Sequence, residues 1–269
     1  MGPTRDALHA YSRILGDRLK AYKPKRKHWW HASLRPSLTG LTSGVIHAEI
    51  DFELALDLRE SLLTATTSKG ARLSEGLKGQ SAADLAQVID GFLAESGINT
   101  DGVSTPEQPS RDGYSGYSVK QSEILGKALA AISAAMAEFR AGIREETSPI
   151  QVWPHHFDLS MLWLPGAKIE GQDPDNEEYS DKQMNFGFTF GDEGIPEPYF
   201  YVTAYPLPKA FADMKLPPGT QWQSAGFSGA VLLYKTLLQS SDPYGYLLDL
   251  WEELLAAGRA EMCSLDHSL

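Results

Sequence analysis

Residues 47–58 alternate between apolar and polar side chains, and this pattern constrains the fold more than any other in the chain. The apolar series is Ala48, Ile50, Phe52, Leu54, Leu56 and Leu58. Successive side chains of a β-strand point to opposite faces, so the pattern predicts a strand with one face on a core. The other face, which carries His47, Glu49, Asp51, Glu53 and Asp57, then meets water or a polar cavity. Such strands are typical of antiparallel sheets.

The order of the remaining predicted elements indicates the fold class. Helical spacing of apolar residues predicts four helices, over residues 4–22, 81–96, 118–146 and 242–258. Alternation predicts two groups of strands, the first at 47–58, 61–66 and 71–77 and the second within 150–164, 184–190, 198–205 and 227–234. Two strand groups separated by two helices predict an α+β fold with mainly antiparallel sheet, whose N- and C-terminal helices pack on the sheet.

One loop is the best candidate for an internal boundary. Residues 98–117 are rich in Gly, Pro, Ser and Asp, which indicates a long exposed connection. We expect a single domain over 1–269, with sub-halves 1–97 and 118–260 on either side of this loop. Both halves contain a histidine followed by a strand and a glycine turn, so a pseudo-duplication stays open.

Composition argues against several classes of partner. The formal net charge of −11 repels phosphate backbones, which predicts no nucleic-acid binding. The single cysteine, Cys263, suits a reducing compartment. No apolar run reaches the roughly 18–20 residues that span a bilayer, and the N-terminus has no secretory signal pattern. We therefore expect a cytoplasmic protein without a membrane span. The sequence indicates neither a cofactor nor an oligomeric state.

Histidine and tryptophan are concentrated in two short segments, each just ahead of a predicted strand. The segments His28-Trp29-Trp30-His31 and Trp153-Pro154-His155-His156-Phe157-Asp158 hold four of the seven histidines. Imidazoles with a carboxylate suit zinc or iron, and the trio His31, His156 and Asp158 is the best metal candidate because His156 and Asp158 are predicted to share a strand face. The absence of a compact His-x-x-x-His motif favours structural, hydrogen-bonded histidines instead.

Asp158 lies in an otherwise apolar predicted strand. An unpaired buried carboxylate costs at least several kcal/mol, so Asp158 must face water, be protonated or pair with a cation. Arg35, which we place on the same predicted strand and face as His31, is the expected partner. A structural ion pair is favoured over a catalytic acid.

The chain resembles the bacterial domain-of-unknown-function family numbered 5996. The resemblance is carried by His28-Trp29-Trp30-His31, the Gly40-Leu41-Thr42 turn, Ile50-Asp51-Phe52, Ser81-Ala82-Ala83-Asp84, Ser148-Pro149, Phe157-Asp158-Leu159, Tyr201 to Pro206, and Asp242-Pro243 followed by Leu247, Leu248 and Trp251. It implies one co-extensive bacterial domain and supports His28, His31 and Asp158 as site candidates. Gln151 stands where the resemblance leads us to expect a histidine, and His155 and His156 stand where small residues are more usual.

Two hypotheses of function follow. In the first, the protein is a small-molecule binding protein or enzyme whose pocket lies between the two strand groups. The expected lining is Trp29, His31, Glu49, Asp51, Asp158 and Tyr201, with His31 as general base or metal ligand and Asp158 as its orienting carboxylate. The alternative is a non-catalytic interaction or scaffold protein whose histidines and tryptophans are structural. No nucleophile elbow or glycine-rich phosphate loop is present, so substrate and reaction stay open.

Overall fold

The computed structural model describes residues 2–103 and 110–263. Helices α1–α7 span Gly2–Tyr22, Ala82–Glu95, Val119–Ala141, Glu177–Ser180, Ala210–Asp213, Tyr234–Leu237 and Pro243–Met262, and a 3₁₀ helix spans Lys27–Ala32. Strands β1–β12 span Arg35–Pro36, Gly40–Thr42, Phe52–Asp57, Leu62–Thr67, Arg72–Gly76, Glu146–Thr147, Gln151–Trp153, Asp158–Leu164, Gln183–Thr189, Tyr199–Tyr205, Thr220–Gln223 and Gly229–Leu233. The strand pairs are antiparallel, which confirms the predicted α+β class with helices at both ends. In these ranges no helix is both long and apolar enough to cross a bilayer.

The chain forms two compact units. Unit 1 comprises Met1–Ser133 and Gln151–Phe157, and unit 2 comprises Ala134–Ile150 and Asp158–Leu269. The predicted loop 98–117 lies in unit 1, and its residues 104–109 lie outside the described ranges.

The sheet of unit 1 has the strand order β1-β2-β3-β4-β5. Phe52, Leu54 and Leu56 are buried and Glu53 is exposed, so the predicted alternation has the correct phase. The strand itself is shorter than predicted, because Ile46 and Phe52 exchange two backbone hydrogen bonds of 2.7 and 3.0 Å. This pairing closes residues 47–51 into a bend that carries no ladder.

The helices of unit 1 begin and end for local reasons that the sequence indicates. The Ser81 hydroxyl accepts a 3.1 Å bond from the Asp84 amide at the start of α2. Gly97, with φ of +82°, follows the end of α2 in the left-handed conformation that glycine tolerates. Arg18 of α1 is buried and makes two 2.7 Å bonds to the carboxylate of Asp90 in α2, which ties the two helices together.

The sheet of unit 2 follows the order β11-β12-β10-β9-β8-β6 and has two chemically different faces. Met184, Phe186 and Phe188 of β9 are buried on one face, and Phe200 on that face contacts Trp251 of α7 with ring centroids 6.2 Å apart. Tyr199, Tyr201 and Thr203 of β10 lie on the other face, as their alternation predicts.

Some predicted boundaries are wrong. The last helix does not end at Gly258 but continues to Met262, because this glycine lies inside the helix against Met184, where a Cβ would be 2.2 Å from the sulfur. The predicted turn at Gly40 is strand β2. The segment 150–164 is two strands, since a turn with Phe157 at φ +57° interrupts it. The third helix ends at Ala141, just before Gly142.

Candidate functional site

The first histidine–tryptophan segment has an unusual backbone. The 3₁₀ helix Lys27–Ala32 is interrupted at His28 and Trp29, whose φ angles are 48° and 57°. Two consecutive non-glycine residues in the left-handed region cost about 1–3 kcal/mol each, so surrounding contacts must hold them there. The consequence is that His28, Trp30 and His31 are buried while Trp29 is 52% exposed.

Aromatic rings and lysine side chains pack around the strained pair His28–Trp29. The Trp29 and His31 rings stack with centroids 5.5 Å apart, and Lys25 Nζ lies 5.6 Å from the Trp29 centroid. The ring of Trp30 has Lys27 Nζ 5.1 Å from its centroid. Each tryptophan is therefore within range of a cation–π interaction.

The protonation state of His31 follows from its contacts. Its Nδ1 accepts a 3.2 Å hydrogen bond from the Arg26 backbone amide, which requires a neutral ring with its proton on Nε2. Burial, followed by the positive charges of Lys25 and Lys20, lowers the pKa of His31 below its ordinary value. At neutral pH His31 thus presents a hydrogen-bond donor. Its expected use as a general base stays a prediction, with the Nδ1 lone pair already engaged.

A buried polar cluster lies beside this segment in unit 1. We name Trp30, Ser33, Arg35 and Gln151 the donor cluster. Arg35 Nη1 donates to Ser33 Oγ at 2.8 Å and to Gln151 Oε1 at 3.0 Å, and Ser33 Oγ lies 2.7 Å from Gln151 Oε1. Leu34 and Val152 exchange backbone bonds of 3.0 and 2.9 Å, which place Gln151 next to Ser33.

Two donors of this cluster have no acceptor. Trp30 Nε1 and Gln151 Nε2 are buried and make no hydrogen bond with any described residue. Sequence reasoning did not select Ser33 or Gln151 as site residues. The one available signal was that a glutamine follows Ser148-Pro149 where the family resemblance leads us to expect a histidine.

In unit 2, Asp158 and Tyr201 form a direct pair. Ser160, Gly187 and Tyr201 are opposite one another on β8, β9 and β10. The Tyr201 ring lies over Gly187, where a Cβ would be 2.1 Å from the ring carbon Cζ. The Tyr201 hydroxyl therefore reaches two strands away and donates to Asp158 Oδ2. Burial, followed by the negative charge of Asp158, raises the pKa of Tyr201 well above its ordinary value.

The predicted site residues are distributed over both units. Trp29 and His31 are in contact in unit 1, and Asp158 and Tyr201 are in contact in unit 2. Glu49 and Asp51 lie in the bend before β3, where Asp51 pairs with His47 at 3.2 Å. The shared pocket stays a prediction.

Two arguments behind the predicted trio are wrong. His31 lies in the 3₁₀ helix and Arg35 in β1, so they do not share one strand. His156 lies in the turn before β8, which begins at Asp158, so these two residues do not share a strand face. Across the described ranges, no group of three or more His, Cys, Asp or Glu side chains could hold a metal ion.

The comparisons with known proteins give one match. A family model described as a family of unknown function (DUF5996) matches residues 1–268. No curated protein and no solved structure matches the chain.

Proposed function

Since the chain belongs to the family of unknown function DUF5996, we propose a function from its own geometry: the protein binds a small organic molecule with a flat ring on Trp29. The Trp29 surface, as we define it, comprises Trp29, His31 and Lys25. The observation that supports the proposal is the strained pair His28–Trp29, which turns one indole outward while its neighbour Trp30 is buried.

The exposed conformation of Trp29 raises the free energy of the folded chain in two ways. The left-handed backbone stores strain, and the exposed indole leaves apolar area in water. Strained residues that the surrounding structure over-determines concentrate at ligand sites, which makes the outlier a basis for a functional hypothesis. A flat ring that stacks on the indole would contribute about 0.5–1.5 kcal/mol beyond the burial of its area.

The surface also has polar groups that can orient a ligand. His31, which is buried and stacks on Trp29, carries an Nε2–H donor, and Lys25 supplies a positive charge. Ligand sites commonly combine an aromatic wall with a few fixed polar groups. This combination supports a binding protein for a small ligand, and it leaves the question of catalysis to experiment.

The test is a thermal-shift panel on the full chain, with flat aromatic compounds in neutral, cationic and anionic forms. Compounds that raise the melting temperature are then titrated by tryptophan fluorescence. We expect Trp29→Ala to weaken their binding about tenfold or more, in keeping with the loss of an aromatic anchor. Leu38→Ala is the matched control, because Leu38 is a 91% exposed apolar residue of the same unit.

Two results would contradict the proposal. Either no compound stabilises the protein, or Trp29→Ala and Leu38→Ala bind the compounds as well as the unchanged chain does. Both results would favour the alternative of a non-catalytic interaction protein with structural aromatic residues.

A further inference from the structure

We infer that the donor cluster, Trp30, Ser33, Arg35 and Gln151, is a second binding site, and that it takes an oxyanion, a carboxylate or a phosphate group. The anion would accept hydrogen bonds from Trp30 Nε1–H and Gln151 Nε2–H. This inference goes beyond the proposed function, because it does not require Trp29 to bind anything.

The orientation of the Gln151 amide is fixed. Its Oε1 accepts from Arg35 Nη1 at 3.0 Å and lies 2.7 Å from Ser33 Oγ. A rotated amide would turn its own N–H groups toward the Arg35 guanidinium, which has no acceptor. Gln151 Nε2 must therefore point away from this pair, and there it is fully buried without an acceptor.

An indole N–H can only donate, and that of Trp30 is buried without a partner. The Trp30 carbonyl already accepts from Ser33 Oγ at 2.9 Å, so the same residue is fixed at its backbone. Each buried donor without an acceptor costs about 1–3 kcal/mol, and native proteins leave few of them. Both residues contact Ser33, Trp30 through its carbonyl and Gln151 through Oε1, and a bound acceptor would remove the cost of each open donor.

The chain segment that contributes Trp30, Ser33 and Arg35 is basic. Residues 20–35 contain no acidic residue and hold Lys20, Lys23, Lys25, Arg26, Lys27 and Arg35, in a chain with a net charge of −11. Burial, followed by the positive charge of Arg35, lowers the pKa of Lys23, whose Nζ donates to the Ser43 carbonyl at 2.6 Å. Glu53 acts on Lys23 in the opposite sense but is exposed and accepts a bond from Thr42.

An anion fits the donor cluster better than a water molecule does. A water could accept from the two donors, but it would not respond to the positive charge. An oxyanion does both, and charge-assisted hydrogen bonds are about twice as strong as neutral ones. It also offers several oxygen atoms, so donors on separate elements, the 3₁₀ helix and β7, can be satisfied by one group.

The test titrates the full chain with sodium acetate, sodium phosphate and sodium chloride at constant ionic strength. The readouts are the melting temperature and the NMR resonance of the Trp30 indole proton, assigned with Trp30→Phe. We expect a saturable rise in melting temperature and a downfield shift of that resonance with acetate, with phosphate or with both. A response to acetate alone would identify a carboxylate ligand, and a response to phosphate alone a phosphate ester.

Two variants and a control make the test specific. Gln151→Glu keeps the Oε1 acceptor and replaces the free donor by a carboxylate oxygen, so we expect it to abolish the response. Trp30→Phe removes one donor and should weaken binding about tenfold. Gln87→Glu, at an exposed position of α2, makes the same charge change and should respond as the unchanged chain does.

The inference is overturned if chloride gives the same saturable response, if no anion gives one, or if Gln151→Glu responds as Gln87→Glu does. Should Gln151→Glu fail to fold, Trp30→Phe and the indole resonance decide the question alone. An indole resonance that stays in place during the anion titrations would show that no anion binds at Trp30 and would end the proposal.

Discussion

The two units each bury a polar cluster, and the two clusters are built in opposite ways. In unit 2 the Tyr201 hydroxyl donates to the Asp158 carboxylate, so donor and acceptor meet within one sheet. In unit 1 the donor cluster contains more donors than acceptors, and Trp30 Nε1 and Gln151 Nε2 have no partner among the described residues.

This difference separates a structural polar group from a binding group better than residue type does. The sequence predicts that Asp158 and Tyr201 line a ligand pocket, yet their direct hydrogen bond favours a role in fixing three neighbouring strands. Gln151 is chemically unremarkable in sequence, and its orphaned donor makes it the stronger binding candidate. Buried polar groups are costly only when their hydrogen bonds are unmet, so an unmet one has explanatory value.

The largest expected effect is a loss of stability in Gly187→Ala, which tests whether the Tyr201–Asp158 pair of unit 2 depends on this glycine. In Gly187→Ala the new Cβ would lie 2.1 Å from the Tyr201 ring, so the ring must move and its hydroxyl must leave Asp158. We expect a loss of about 2–4 kcal/mol in the free energy of unfolding, measured by denaturant titration. Gly142→Ala, where the nearest atom is 3.5 Å from the added Cβ, is the control and should change stability by less than about 0.5 kcal/mol. Equal effects of the two changes would show that Tyr201 does not rely on the open strand surface.

The next effect measures the pair itself. Tyr201→Phe removes the donor and leaves the buried Asp158 carboxylate without this bond, which should cost about 1–3 kcal/mol. A cycle with Asp158→Ala, which removes the acceptor, should give a coupling of about 0.5–3 kcal/mol, as contacting residues do. A coupling near zero would remove the contrast between the direct Tyr201–Asp158 hydrogen bond of unit 2 and the open donors of unit 1.

The strand faces, the left-handed pair His28–Trp29 and the donor cluster differ in how far the sequence predicts them. The alternation around Phe52 and along Tyr199–Tyr205 is a local property, so the strand faces are predicted correctly. The left-handed pair His28–Trp29 is not predictable, because intrinsic preference opposes it and tertiary contacts impose it. The donor cluster depends on Ser33 meeting Gln151, a contact over 118 residues that no local pattern encodes.

A smaller effect on stability is expected at alkaline pH, and it comes from Tyr201 in unit 2. The pKa of Tyr201 is raised in the folded chain above the value of about 10 in the unfolded chain, so the folded state keeps its proton longer. This contribution is complete below pH 10 and is lost as the pH rises toward the folded pKa. The stability gap between the unchanged chain and Tyr201→Phe should therefore narrow above pH 10, by up to about 1 kcal/mol per pH unit. A constant gap between pH 9 and 11 would contradict this assignment. Tyr199, whose pKa is also raised by burial and by Asp192, remains in both proteins and cancels in the comparison.

The smallest effect on stability is expected at acidic pH, and it comes from His31 in unit 1. The pKa of His31 is lowered in the folded chain by burial and by Lys25, so the unfolded chain binds the proton first as the pH falls below about 6.5. The contribution of neutral His31 is present above that pH and is lost toward the folded pKa.

Protonation of Nδ1 also turns the acceptor of the Arg26 amide into a donor, because imidazolium has no acceptor. The 3₁₀ segment should loosen, and the fluorescence of the exposed Trp29 should change in the same pH range. Replacing the 81% exposed His47 with glutamine should leave that fluorescence change in place, whereas His31→Gln should remove it. If His31→Gln shows the same acid transition as the unchanged chain, contacts other than neutral His31 hold the strained backbone at Trp29. The Trp29 surface would then not depend on the protonation state of His31.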